Sequence, residues 1–223
     1  MATQLEQAKN GNVSEQMRYV ADWEGVDVEK LREEVAGGRL VIPFNKLRDG
    51  KGLKPVGIGR MLSIKVNANI GSSSVKSTIE DELRKTRAAI ESGADAVMDL
   101  STGGNLDATR ERLIEGCEVP FGTVPIYQVI EGRSVEEVTH KKILEVVEKQ
   151  AKQGVDFFTI HAGLLREHLG LLESRVAGIV SRGGALTAKW MIAHEKQNPM
   201  YDLFDDLCDI MREYAVSFSL GDG

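Results

Sequence analysis

Six short stretches of the chain each follow a run of Val, Ile or Phe with side chains able to hold or transform a small phosphorylated molecule. In SIKVNANIG (63–71), Asn67 and Asn69 alternate with Val66, Ala68 and Ile70, which puts two amides on one side of a strand and the apolar residues on the other. A buried amide has to be hydrogen-bonded, so each serves either neighbouring backbone or a ligand. In AVMDLSTGG (96–104), Met98 and Asp99 precede a Ser-Thr-Gly-Gly turn whose small residues let a ligand approach the backbone. In FGTVPIYQ (121–128), Tyr127 stands at the mouth of the third strand, where its phenol could bond a phosphate or pack on its neighbours. His161 in FFTIHAG (157–163) ends an otherwise apolar strand. Its imidazole suits donation to phosphate or acid–base work near pH 7, and the competing reading is a core histidine satisfied by a carbonyl.

The strongest local signal is GIVSRGG (178–184), where Ser181, Arg182, Gly183 and Gly184 turn directly into a helix. Glycine frees backbone N–H groups, the helix start carries partial positive charge, and Ser and Arg add donors, all of which suits a phosphate. A tight strand–helix turn without a ligand is the alternative. The last stretch, VSFSLGDG (216–223), ends in Asp222 and Gly223, and a carboxylate at such a strand end fits a ligand group.

These six runs are separated by helical patterns, among them TIEDELRKTRAAIESG, NLDATRERLIEG, LLREHLGLLESR (164–175) and a long stretch over 185–214 that is interrupted at Asn198-Pro199. Strands alternating with helices imply a parallel sheet. An open doubly wound sheet would concentrate its ligand chemistry at a switch point with a glycine fingerprint after an early strand, and none follows the first run. Chemistry at the end of every strand is the arrangement of a (β/α)8 TIM-type barrel, here with strands one to six. The expected division is an N-terminal lead of helices and loop over 1–62 and the barrel over 63–223, incomplete at its C-terminal end. In the lead, Asp27 is the expected N-cap of a helix that stops at Gly37 and Gly38.

Composition narrows the partners. A net charge of −6 argues against nucleic acid, whose non-specific binding rests on clustered Lys and Arg. The first thirty residues lack an apolar signal core and no later run reaches the ~18 apolar residues of a membrane span, so a cytoplasmic protein with no membrane partner is expected. The two cysteines, Cys117 and Cys208, lie far apart with no ligand spacing around either, so they read as packed thiols and no metal site is expected within this chain.

KVNANIG, VMDLSTGG, GTVPIYQ, DFFTIHAG, IVSRGG and SFSLGDG, in this order and at these spacings, resemble the phosphomethylpyrimidine synthase family of thiamine biosynthesis. The resemblance implies a radical S-adenosylmethionine lyase on a (β/α)8 barrel that rearranges aminoimidazole ribotide into hydroxymethylpyrimidine phosphate, releasing formate and carbon monoxide. It implies a [4Fe–4S] cluster, S-adenosylmethionine and zinc or another divalent metal, with cluster and metal ligands beyond Gly223. A homodimer and an electron donor are implied as well. Substrate contacts carry over to Asn69, Met98, Tyr127, His161, Ser181, Arg182, Gly183, Asp222 and Gly223. The sequence IPFNK (42–46) departs from the family's usual Ile-Pro-Ala-Asn run. That leaves room for the relative that makes 5-hydroxybenzimidazole, a cobalamin lower-ligand precursor, from the same ribotide. A noncatalytic ribotide-binding partner is a further alternative. A phosphosugar isomerase or aldolase lacks a convincing base or Schiff-base lysine.

Overall fold

A computed structural model describes residues 2–73 and 78–221. The lead begins with three short helices, α1 (Gln4–Lys9), α2 (Glu15–Glu24) and α3 (Val28–Ala36). Each opens on a polar side chain that accepts from a first-turn N–H: Thr3, Ser14 and Asp27 respectively. Asp27 is therefore the cap that its position before an amphipathic run suggests. Their apolar sides, with Met17, Val20, Leu31 and Val35, bury against Leu40 and Ile42 in a small core of their own. A two-residue antiparallel pairing of β1 (Leu40–Val41) with β2 (Ile58–Gly59) completes this part.

The rest of the described chain is a mixed α/β arrangement around a five-stranded parallel sheet. Its strands are β3 (Asn67–Ile70), β4 (Ala96–Asp99), β5 (Phe121–Thr123), β6 (Phe157–Ile160) and β7 (Ser217–Leu220), side by side in that order. Between them run α4 (Ile79–Glu91), α5 (Leu106–Glu115), α6 (Pro125–Val129) with α7 (His140–Gln153), and α8 (Arg182–His194) with α9 (Pro199–Asp202) and α10 (Phe204–Tyr214). Thr78 and Asp81 close a reciprocal cap on α4, while α7 ends at Gly154 in the left-handed conformation, φ +102°, that glycine adopts freely.

The register divides the sheet into two unlike faces. Asn69 pairs with Met98 and Phe157 with Ser217, whereas Val97 pairs with Phe121 and Phe158 with Phe218. Since partners across a ladder point the same way, Val97, Phe121, Phe158 and Ile160 fall on one face. There they are buried beneath Leu113, Ile143, Val147, Met191 and Leu207 of the helices. Removing such surface from water contributes roughly 25 cal/mol per Å², so this layer fixes the sheet against its helices. The other face carries Asn67, Asn69, Met98, Phe157, Thr159, Ser217 and Ser219, without a charged side chain among them.

Asp156 anchors the lower rim, at the start of β6. Its buried carboxylate accepts from Arg48 at 2.5 Å and from the backbone N–H groups of Asn45 and Phe121 at 2.9 and 2.8 Å. Arg48 also donates to the carbonyls of Cys117 and Val119. The 45–48 loop of the lead is thereby riveted to the starts of β5 and β6.

Three sequence expectations are corrected. The run 178–184 forms no strand among the described residues: Gly178 has φ +57°, Ser181 caps α8, and β6 already pairs with β7 along its whole length. Its β-branched residues match a strand pattern but have no ladder to join. The third strand also stops earlier than its run, because Pro125, whose fixed φ suits a first helical position, starts α6. Tyr127 consequently sits on a helix. The helical pattern over 164–175 is a 3-10 segment, Arg166–Ser174.

Candidate active site at the strand ends

His161 occupies the turn just past the C-terminal end of β6 and is 4% exposed. Its Nε2 shares a 2.7 Å hydrogen bond with the Ser181 hydroxyl. The ring is gripped between two backbones. A Cβ built on Gly183 would lie 2.2 Å from His161 Cε1, and one on Gly221 would lie 2.8 Å from Cδ2. Ordinary carbon contacts need about 3.5 Å or more, so only glycine at both positions admits the imidazole.

The turn that carries His161 is held from a distance. Asn198, wholly buried, donates both amide hydrogens, to the carbonyls of His161 at 2.7 Å and Leu164 at 2.8 Å. Its side-chain oxygen accepts from Met200 N at 2.9 Å at the start of α9. Asn198-Pro199, which reads in sequence as a mere interruption of a helix, is thus the clip on the histidine loop.

Ser181 is the N-cap of α8 and accepts from Gly184 N at 3.2 Å. The first backbone bond of that helix runs from Ala185 N to Ser181 O, so the N–H groups of Arg182 and Gly183 precede it and face the site end of the helix. The Arg182 guanidinium lies 5.2 Å above the Tyr127 ring, within cation–π range. Burial pushes the Tyr127 phenol above its ordinary pKa, with Arg182 pulling the other way. It is therefore a neutral donor at physiological pH.

On the uncharged sheet face the tips of β3 and β4 place Asn69 beside Met98. Asn67 Nδ2 donates to Asn69 Oδ1 at 3.0 Å, and the Thr159 hydroxyl donates to the Met98 sulfur at 3.3 Å. Thr159 lies two residues before His161, so this pair borders the histidine subsite. Asp99 takes no part on this face. It points into the helix layer, bonded to Ser101, and burial raises its carboxyl pKa against those bonds.

The structure thus brings His161, Ser181, Arg182, Gly183 and Tyr127 into one cluster, with Asn69 and Met98 next to each other on the adjoining face. Asp222 and Gly223 lie outside the described residues. Away from this cluster, His194 stacks on Trp190 at 4.2 Å and faces the carbonyls of Trp190 and Glu136, and His140 stacks on the same indole at 5.8 Å. Asn198 and Thr159 were not legible as site residues, although an Asn-Pro pair opening a helix was a usable hint for the first.

The family model of the radical SAM ThiC family matches residues 3–223. The chain belongs to this family. Over 224 residues it is 51% identical to a phosphomethylpyrimidine synthase of Halobacterium salinarum, covering 100% of this chain and 47% of that protein. Over 222 residues it is 52% identical to the phosphomethylpyrimidine synthase of Haloarcula marismortui, covering 99% of this chain and 46% of that one. The chain spans about half the length of these curated relatives. Among the described residues no group of three or more His, Cys, Asp or Glu side chains could hold a metal ion, and no helix is long and apolar enough to cross a membrane.

Proposed function

We propose that this chain forms the ribotide-binding part of a phosphomethylpyrimidine synthase, a carbon–carbon lyase that converts aminoimidazole ribotide to hydroxymethylpyrimidine phosphate. The observation that carries the reading is the cluster of neutral and cationic donors where β5 and β6 end. A phosphate monoester at the start of α8 meets the Arg182 charge, the Ser181 hydroxyl and the N–H groups of Arg182 and Gly183, with the Tyr127 phenol as a further donor and His161 Nε2 donating to the Ser181 oxygen behind it, so that the hydroxyl hydrogen can turn to the phosphate. The uncharged wall of Asn69 and Met98 suits the imidazole, since an ionised side chain there would have to be desolvated against a neutral ring.

Membership of a radical S-adenosylmethionine family implies a [4Fe–4S] cluster and S-adenosylmethionine, which together supply a 5′-deoxyadenosyl radical. The described residues do not fit such groups. Burial pushes the Cys117 thiol up to about 11, Cys208 stands alone on α10, and no ligand set surrounds either. The role of these residues is to bind the ribotide, orient it and keep water from its reacting face. Our reading of the sheet is that it forms part of a (β/α)8 barrel, supported by the uncharged face, over which no helix layer lies among the described residues. A cytoplasmic homodimer that takes electrons from a donor and holds a divalent metal outside this chain belongs to the same proposal.

The curated relatives carry the pyrimidine name, which favours that product over 5-hydroxybenzimidazole. The test is anaerobic turnover of the protein from its native host with ribotide, S-adenosylmethionine and a reductant, followed by mass analysis. Hydroxymethylpyrimidine phosphate is expected. Formation of 5-hydroxybenzimidazole alone, or no ribotide consumption by active-cluster protein, overturns the reading.

A further inference from the structure

Behind Tyr127 lies a polar network whose placement matters more than its stability. The helix α6 that carries Tyr127 is five residues long and has no side-chain cap on its N-terminus. A helix this short does not hold its own orientation. It is pinned by Ile126 and Val129 in the core and, on its remaining side, by Gln128.

The Gln128 side-chain oxygen accepts from Arg110 Nη2 at 2.9 Å and from Gln150 Nε2 at 2.7 Å, while its amide donates to Asp107 at 2.9 Å. Each of those partners is itself fixed. Arg110, 3% exposed, spans to Asp107 and Gln153, and Gln150 accepts from the Thr123 hydroxyl at the tip of β5. The amide of α6 is therefore tied both to a strand end and to the helices α5 and α7. Residues 127 and 128 are neighbours about 100° apart around a helix, so locking the second sets the direction of the first. Tyr127 leaves the helix in a different direction, beneath Arg182.

We propose that Gln128 is a positioning residue, with Arg110 as its buried brace, that sets the Tyr127 ring under Arg182. The spacing between phenol and guanidinium is then fixed for the phosphate monoester of the substrate. This rests on the ribotide-binding reading above. Buried polar networks contribute little net stability compared with apolar packing, and their established effect is on which arrangement is adopted. Among the described residues the Tyr127 hydroxyl makes no hydrogen bond of its own that would orient it.

The test uses protein with 13C-labelled tyrosine, in which four tyrosines give few ring signals, and titration with aminoimidazole ribotide. Gln128→Met removes the amide at nearly constant volume. Gln128→Asn is a milder second variant that keeps the amide and withdraws it from both donors. Both variants are expected to shift the Tyr127 ring signal and to weaken ribotide binding about five- to tenfold, the scale of one lost oriented hydrogen bond. In a Tyr127→Phe background the same substitutions are expected to change binding less than about twofold, because their effect travels through the missing hydroxyl. An unmoved Tyr127 signal, or an equal loss of affinity in both backgrounds, overturns the inference. If wild-type protein binds no ribotide, the parent reading fails. Tyr127 ring signals of the two variants then decide the positioning role alone, supporting it if they shift and overturning it if they do not.

Discussion

Replacing Gly183 with alanine tests how the histidine is seated. In the first turn of a helix Ala normally improves on Gly by up to about 1 kcal/mol, so a simple propensity argument expects a more stable protein. The structure reverses the sign. The added methyl would stand 2.2 Å from His161 Cε1 and 2.5 Å from Nδ1, and the ring cannot retreat because Gly221 closes the other side. Overpacking of this kind costs about 1–3 kcal/mol. Expelling the ring also loses the 2.7 Å bond to Ser181, worth about 1 kcal/mol. With the propensity gain subtracted, the expected net loss is about 1–3 kcal/mol, or about 4–8 °C in Tm for a loss near 2 kcal/mol in a domain of this size. The assay is urea and thermal unfolding, beside the histidine signals in an NMR spectrum, where four histidines are few enough to resolve. Gly170→Ala, with nothing within 4 Å of the new methyl, is the control and should stay within about 0.5 kcal/mol. A Gly183→Ala protein as stable as wild type, with the His161 signal unmoved, would refute the seating.

Further expectations concern the framework. Asp156→Asn at pH 8 leaves the buried Arg48 charge without its counter-ion and should destabilise by about 3–5 kcal/mol in urea titrations; a loss under about 1 kcal/mol contradicts this. At Asp107 burial alone would raise the pKa, but bonds from Lys149 and Gln128 and the charge of Arg110 outweigh it and hold the carboxyl at about 2. The unfolded chain then binds the proton first, so this contribution is present above about pH 4 and is lost as pH falls toward 2. Asp107→Asn should flatten the stability–pH curve in that window, and an unchanged slope counts against the network. Under native conditions a thiol reagent should modify Cys208, which is half-buried, well before Cys117, which is buried with its pKa pushed up to about 11; equal rates argue against the packing around Arg48.

What the sequence made legible was local. The cap at Asp27 needs only its own helix, and five of the six β-rich runs became strands because each has a parallel neighbour to pair with. The run 178–184 failed because a strand is defined by its neighbour, and β7 from far along the chain had taken that place beside β6. Pro125 ends the third strand and starts α6, because its fixed φ suits a first helical position better than a ladder. Gly183 shows a subtler limit. Its fit to a tight turn into a helix was readable from type and position, but its close contact with the imidazole depends on a residue 22 positions earlier. Asn198 and Gln128 act through partners 37 and 18 to 22 residues away; the Asn-Pro pair hints at a helix start for the first, but its own neighbourhood does not name the distant partners, and nothing near Gln128 announces its role.

The most direct test of the account is a titration of aminoimidazole ribotide into protein labelled at histidine and tyrosine, beside an Arg182→Ala variant. The account predicts saturable shifts at His161 and Tyr127 and at least about a tenfold loss of affinity in the variant, as expected when a charge-assisted phosphate contact is removed. Ribotide binding that leaves both signals in place, or that survives Arg182→Ala undiminished, would contradict it.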